Sequence, residues 1–299
     1  MNHNAETSGT NALERARRVL EILEEQAAGY TKLSIPPHLQ VELEEKRREV
    51  AEMERRLEQL SAAAVCDNSN SVMNPFSDRG CIRDPVRFFG RQRLLREATQ
   101  MLAQGNSLAL IGEPQIGKSS LLYYLFATRA DWLAEGTVLY LDLQAVLDEA
   151  DFCAEVLDGL GEPLGDLRAL RRMLRRRQAV LLLDEVEKLN NPEFSTRLHG
   201  LLRALAQEPT LTLAVAGHRP LAEIFPPSGT TSPFHNIFTE KQVPPFTAEE
   251  SQAFLRTRLV GTHIHFSDAD IERLRLESAG HPLRLQQLAC ALFNSLRGA

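Results

Sequence analysis

The eight residues Gly112-Glu-Pro-Gln-Ile-Gly117-Lys118-Ser119 constrain this chain more than any other stretch. They follow an apolar run, Leu108 to Ile111, and precede a helix-like stretch from Ser120 to Ala127. This is G-x-x-x-x-G-K-[ST], the P-loop, in the strand–loop–helix setting that its chemistry needs. The two glycines let successive backbone N–H groups turn inward onto phosphate oxygens, and the helix N-terminus adds a favourable dipole. Lys118 reaches the β- and γ-phosphates as a point charge, and Ser119 offers its hydroxyl to Mg²⁺. With Gly112 and Gly117, the loop and first-turn residues Gln115, Ile116 and Ser120 complete the expected phosphate cradle. The implied ligand is a nucleoside triphosphate.

The chain as a whole is ordinary. Its 299 residues hold one sizeable domain plus an appendage, or two small ones. Hydrophobic content of 43% and charged content of 25% are those of a soluble globular protein. A net charge of −6 argues against a surface built wholly to coat nucleic acid. Cys66, Cys81, Cys153 and Cys290 are far apart and form no C-x-x-C pair, so neither a disulfide framework nor a zinc site is suggested. His263-x-His265 has no companion ligands, and no further metal site is assigned. The N-terminus does not read as a signal peptide, and no apolar run approaches the roughly eighteen residues of a membrane span. A cytoplasmic protein without a membrane partner is expected.

Along the sequence, residues 1–11 are polar and read as a disordered tail. Residues 12–61 carry apolar positions at helical spacing in two stretches, broken by Gly29 and Ile35-Pro36-Pro37. The second repeats by sevens through Leu43, Val50 and Leu57, which reads equally as an intramolecular hairpin or as a self-associating coiled coil. Residues 62–84 read as a linker or strap. From 85 to 245, apolar strands are expected at 107–111, 137–143, 179–183 and 211–216, with a weaker fifth at 240–243. Helices are expected at 91–104, 118–130, 150–160, 166–177 and 193–207. This alternation predicts an α/β fold, a parallel sheet covered on both faces. Residues 246–299 read as helical throughout.

The run Val180-Leu-Leu-Leu183-Asp184-Glu185 places two carboxylates at the carboxyl edge of that sheet, where the P-loop also opens. Asp184 is placed to hold Mg²⁺ and Glu185 to polarise an attacking water. The strand 211–216 ends in Gly217-His218-Arg219-Pro220. If it lies between the P-loop strand and the acidic strand, His218 or Arg219 faces the γ-phosphate; the alternative is a plain loop. Phe88-Phe89-Gly90-Arg91 offers aromatics to an adenine face, or else two core phenylalanines. Arg168, Arg171, Arg172 and Arg175–Arg177 lie on an amphipathic helix, read as a solvated face, with partner docking or nucleic-acid contact as alternatives.

Together these pieces resemble a STAND-type P-loop ATPase, a branch of the AAA-like group of origin-recognition and archaeal regulatory ATPases. Asn74-Pro-Phe-Ser-Asp-Arg-Gly80-Cys81-Ile with Phe88-Phe89-Gly90-Arg91 is similar to the first segment of bacterial members, whose hydrophobic–hydrophobic–Gly-Arg element touches adenine. Gly112–Ser119 matches Walker A, and Leu183-Asp184-Glu185 matches Walker B. His218-Arg219-Pro220-Leu221 resembles the segment after the sensor-1 strand, and Ser232 to Phe238 another stretch of these chains. Gly280-His281-Pro282 resembles the G-x-P element of the helical lid, with Pro282 near the base. The resemblance implies an ATP·Mg²⁺ site with Phe89, Gly90, Arg91 and Pro282 at the base, Lys118, Glu185 and Arg219 in hydrolysis, and Ser119 and Asp184 at the metal. The sensor-2 arginine of AAA+ proteins has only Arg284 as an offset candidate. The chain stops soon after the lid, as a minimal regulator or a fragment would.

The function expected is a slowly hydrolysing switch. Its ATP/ADP state would control assembly with itself, as a homo-oligomer, or with an effector through the N-terminal helices. A loader or remodeller acting on nucleic acid is the disfavoured alternative, and a scaffold that binds ATP only for structure is a third.

Overall fold

A computed structural model describes Arg47 and residues 73–78, 80–226 and 233–298. The expected tail over 1–11, the hairpin or coiled coil over 12–61 and most of the linker, like Ser232, lie outside them. The chain divides into two units after Met73, and Asn74–Ala299 is the unit described below.

Five strands form one sheet: β1 (Leu108–Ile111), β2 (Thr137–Asp142), β3 (Ala179–Asp184), β4 (Leu211–Gly217) and β5 (Thr239–Gln242). All pairs are parallel, in the order β2-β3-β4-β1-β5. The three central strands are buried at every position, which is why they read as unbroken apolar runs. Their side chains alternate between two cores. Leu108, Leu110, Val180, Leu182, Ala214 and Ala216 point to one face. Ala109, Ile111, Leu181, Leu183, Leu213 and Val215 point to the other. The edge strand β5, Thr-Glu-Lys-Gln, is mostly exposed, so it lacks the apolar signature of its neighbours.

Helices α1 (Gln92–Ala103) and α2 (Lys118–Ala127) cover the first face; α3 (Glu149–Gly159), α4 (Leu167–Leu174) and α5 (Thr196–Ala206) cover the second. A short α6 (Leu221–Ile224) follows β4. Asp148, Asp166 and Ser195 cap α3, α4 and α5 through side-chain acceptors, which fixes where each helix starts. The helix expected over 166–177 ends at Leu174, leaving Arg175–Arg177 on the turn into β3.

Three helices close the unit: α7 (Ala248–Leu259), α8 (Asp268–Ser278) and α9 (Pro282–Arg297). Capping boxes, Thr247 with Glu250 and Ser267 with Asp270, start the first two, and Pro282 occupies the first turn of the third. The strap that follows Asn74 is stitched to them. Phe76 is 2% exposed and sits among Phe254, Phe266 and Phe293. Asn74 Nδ2 donates to the Cys290 carbonyl at 3.0 Å and to Asn294 Oδ1 at 2.9 Å. Among the described residues, no helix is long and apolar enough to cross a membrane.

Candidate functional site

The strand order decides what meets at the carboxyl edge of the sheet. Because β4 lies between β1 and β3, the ends of three strands converge: the P-loop after β1, Asp184-Glu185 at the end of β3 and His218 after β4. The condition attached to His218 in the sequence is therefore met. A cavity of about 920 Å³ opens there. The P-loop walls it on one side, Glu185 and His218 at the far end, and α9 with the strap on the other side.

The loop is shaped by local conformation. Gln115 and Gly117 adopt left-handed φ of 61° and 95°, so the chain curls around the cavity mouth. A Cβ on Gly117 would come within 2.9 Å of Arg91 Nη1, and one on Gly112 within 3.1 Å of Ile116 and of the Val243 carbonyl. Ile116 is buried and holds the loop down onto the core beneath. Lys118 Nζ donates to the Gly112 and Glu113 carbonyls, each at 2.9 Å. Burial pulls its pKa below the usual lysine value, and Glu185, Glu187 and Asp184 oppose that pull.

Asp184 is 4% exposed, and burial raises its pKa against hydrogen bonds from Ser119 and Tyr140. The Tyr140 hydroxyl, reaching over from β2, donates to Oδ2 at 3.0 Å. Ser119 and Asp184 thus present adjoining oxygen donors, the type that a hard divalent cation takes. That pairing on the structure fits Mg²⁺. Glu185 has left-handed φ (55°), which turns its side chain off the strand line into the cavity wall. Its pKa is raised by burial and by Asp184 and Glu187, and drawn down by Lys118 and His218.

The cavity brings together Gln115, Gly117, Lys118, Ser119, Ser120, Glu185 and Pro282, with Gly112 and Ile116 behind them as framework. Phe89, Gly90, Arg91 and Arg219 are not among its lining residues. Phe89 packs edge-on against Phe246 and Phe254. Arg91 is an internal strut. At a φ of 60° its guanidinium turns inward, donates to the Ile116 carbonyl and to Pro244 O at 3.2 Å, and lies 5.3 Å from the centre of the Phe246 ring. Burial lowers its pKa to about 10. Arg219 stays exposed on the loop while His218 faces the cavity.

Sequence reasoning does not reach several residues of this site. Tyr140 and Glu187 belong to it through pairing and tertiary contact, with no motif to mark them. The strap residues Cys81 and Ile82 line the cavity, and the Ile82 N–H donates to Ser120 Oγ at 2.9 Å. His281 Nε2 lies 3.3 Å from the Pro114 carbonyl and joins α9 to the P-loop.

Residues 101–225 match the family described as an AAA domain. No curated protein sequence matches the chain. Among solved structures, the fold is similar to a Walker-type ATPase of Pyrococcus abyssi, with a TM-score of 0.58 and 18% identity over 75% of this chain and 73% of that one. It is similar to Cdc6p of Pyrobaculum aerophilum, with a TM-score of 0.54 and 15% identity over 76% and 68% of the two chains. It is also similar to the ORC1 protein of Aeropyrum pernix, solved in complex with DNA, with a TM-score of 0.53 and 18% identity. That alignment covers 71% of this chain and 62% of ORC1, so part of the longer protein has no counterpart in it. The fold of this chain is that of a P-loop ATPase of the AAA-like kind.

Proposed function

We propose that the chain binds ATP with Mg²⁺, hydrolyses it slowly, and uses the exchange of ATP for ADP to control assembly with itself or with an effector, as STAND-type regulators do. One observation carries this reading: the cavity is shared between the P-loop face of the sheet and the α9–strap face. A ligand seated there touches both, so its phosphate state biases how they close on each other. Lys118 and the loop N–H groups would bind the phosphates, and Ser119 and Asp184 would hold Mg²⁺, which neutralises charge on the transferring phosphoryl group. Glu185 would orient the attacking water. Light scattering on the chain without nucleotide, with ADP and with a non-hydrolysable ATP analogue tests the switch. Glu185→Gln should trap an ATP-bound, more highly assembled form. If that substitution alters neither turnover nor assembly, the switch reading is wrong.

A second reading, action on nucleic acid, draws on the exposed arginines of α4 and of the turn after it, and on the ORC1 likeness. Arg175 and Arg177 are engaged by Glu208 and Glu162, each at 2.9 Å, whereas Arg171, Arg172 and Arg176 have no such ion pair among the described residues. Salt-dependent DNA binding that weakens on replacing Arg171, Arg172 and Arg176 with Gln would favour it over the first.

A further inference from the structure

Three side chains gather beside the cavity from two strand ends. Glu185 and Glu187 follow β3, His218 follows β4, and their ligand atoms all lie within 4.8 Å of one another. Glu187 ties the strand ends together. Its Oε1 accepts the His218 backbone N–H at 2.6 Å and lies 2.8 Å from His218 Nδ1. The same oxygen occupies the space beside Gly217, where a Cβ would come within 3.0 Å of it. The Glu187 side chain is 16% exposed and does not line the cavity; the His218 ring is 41% exposed and does.

We propose that Glu187 is a positioning residue that acts through His218, holding its ring so that it reads the terminal phosphate of a nucleotide seated on the P-loop. With Nδ1–H donated to the carboxylate, the ring has one orientation, and Nε2 is the nitrogen left for the cavity, where it donates to a phosphate oxygen when the ring carries both protons. The backbone contact fixes where the ring starts, and the side-chain contact fixes how it turns. Position and ring orientation are set by a half-buried carboxylate, in the way that carboxylates orient metal-bound or catalytic imidazoles. The proposal rests on the ATP reading above. It adds a specific consequence: Glu187 governs discrimination between ATP and ADP, which differ at that end, and leaves the affinity for the shared diphosphate alone.

Calorimetric titration of the full chain with ATPγS and with ADP, both with Mg²⁺, tests this in His218→Ala, Glu187→Ala, Glu187→Gln and the double variant Glu187→Ala/His218→Ala. The expected result is ADP affinity within about twofold of the parent throughout, and a preference for ATPγS over ADP that falls about tenfold in His218→Ala, as for one lost charge-assisted contact. Glu187→Ala should fall by a similar factor. Glu187→Gln should keep most of the preference, because its amide oxygen accepts the same two hydrogen bonds. The double variant should be no worse than His218→Ala, since a residue acting through the ring has nothing to act on without it.

Three results would overturn the proposal. The preference could survive in either single Ala variant; the double variant could lose the product of the two single effects; or ADP affinity and melting temperature could drop in step, in Gln as in Ala, which would make Glu187 a structural prop. If the parent chain binds neither nucleotide, the ATP reading itself falls, and this proposal with it.

Discussion

Charge compensation governs the individual residues of the site. Lys118 lies near Asp184, Glu185 and Glu187, yet among the described residues its ammonium bonds to the loop carbonyls of Gly112 and Glu113. It is therefore available to a phosphate that displaces those carbonyls. Lys118→Ala should weaken ATP binding by about a hundredfold, because the charge-assisted contact with phosphate is lost from the complex, and should lower the melting temperature modestly, because two hydrogen bonds to loop carbonyls are lost from the fold. Tyr140 acts one step further back. Its hydroxyl draws the Asp184 pKa down against the rise caused by burial. Tyr140→Phe removes that support, so the Mg²⁺ concentration giving half-maximal activity should rise on the order of tenfold, as expected for a hydrogen bond to a charged group. An unchanged Mg²⁺ dependence would show that Tyr140 serves packing alone. His199 makes a separate test, away from the cavity. It stacks on Phe234, meets Phe225 edge-on and bonds the Leu189 carbonyl, and burial lowers its pKa. The folded state then binds fewer protons than the unfolded one. Stability should be fully present above the ordinary histidine value of 6.5 and decline as pH falls below it. Urea unfolding just above and below that pH should show the decline in the parent and a flatter profile in His199→Gln.

At the scale of elements, legibility in the sequence followed burial. Strands β1, β3 and β4 are buried on both faces, and their apolar runs announced them to within a residue or so. The polar edge strand β5 gave a weak signal because only one side of it meets the sheet. The strap reads as linker in sequence because it has no period; Phe76 is a core residue solely by virtue of the three phenylalanines that α7–α9 and their connections bring to it. Arg91 shows the same limit most sharply. A Gly-Arg pair next to aromatics resembles a base-binding element, but side-chain direction depends on a left-handed φ that no spacing rule reveals. Its strut links α1, the P-loop and the segment before α7, and its backbone N–H also binds Glu250 Oε1 at 2.6 Å. Arg91→Ala should therefore cost about 2–4 kcal/mol of stability by leaving buried carbonyls unpaired. Arg91→Lys should recover little of this, since an ammonium lacks the planar fork that reaches several acceptors. Both effects are measurable by denaturant unfolding.

At the scale of the molecule, the site is a joint between two faces. The P-loop and strand ends belong to the sheet; Pro282, Gln286 and Cys290 belong to α9, and Gly80 to Ile82 to the strap. Polar links across the joint include His281 to the Pro114 carbonyl, Ile82 to Ser120, and Arg91 to Glu250 and the Pro244 carbonyl. At the turn before α9, where any closure would pivot, the backbones pack closely: Gly280 has a φ of 74° and a Cβ there would lie 2.3 Å from the Phe246 carbonyl. A ligand seated between the two faces would add contacts to both and so favour their closure. ATP at a hundred times its Kd should raise stability by about 2.7 kcal/mol through mass action alone. For a unit of this size that corresponds to a melting rise of about 5–10 °C. Closure predicts more than this uniform shift: amide exchange in the first turn of α9 and in residues 80–82 should slow with the ATP analogue beyond what it does with ADP. Gly280→Ala strains the pivot and should abolish that difference while leaving phosphate binding by the P-loop in place. Equal protection by ATP analogue and ADP in the parent chain would instead mean that the joint is insensitive to the terminal phosphate, and the chain a nucleotide-stabilised scaffold.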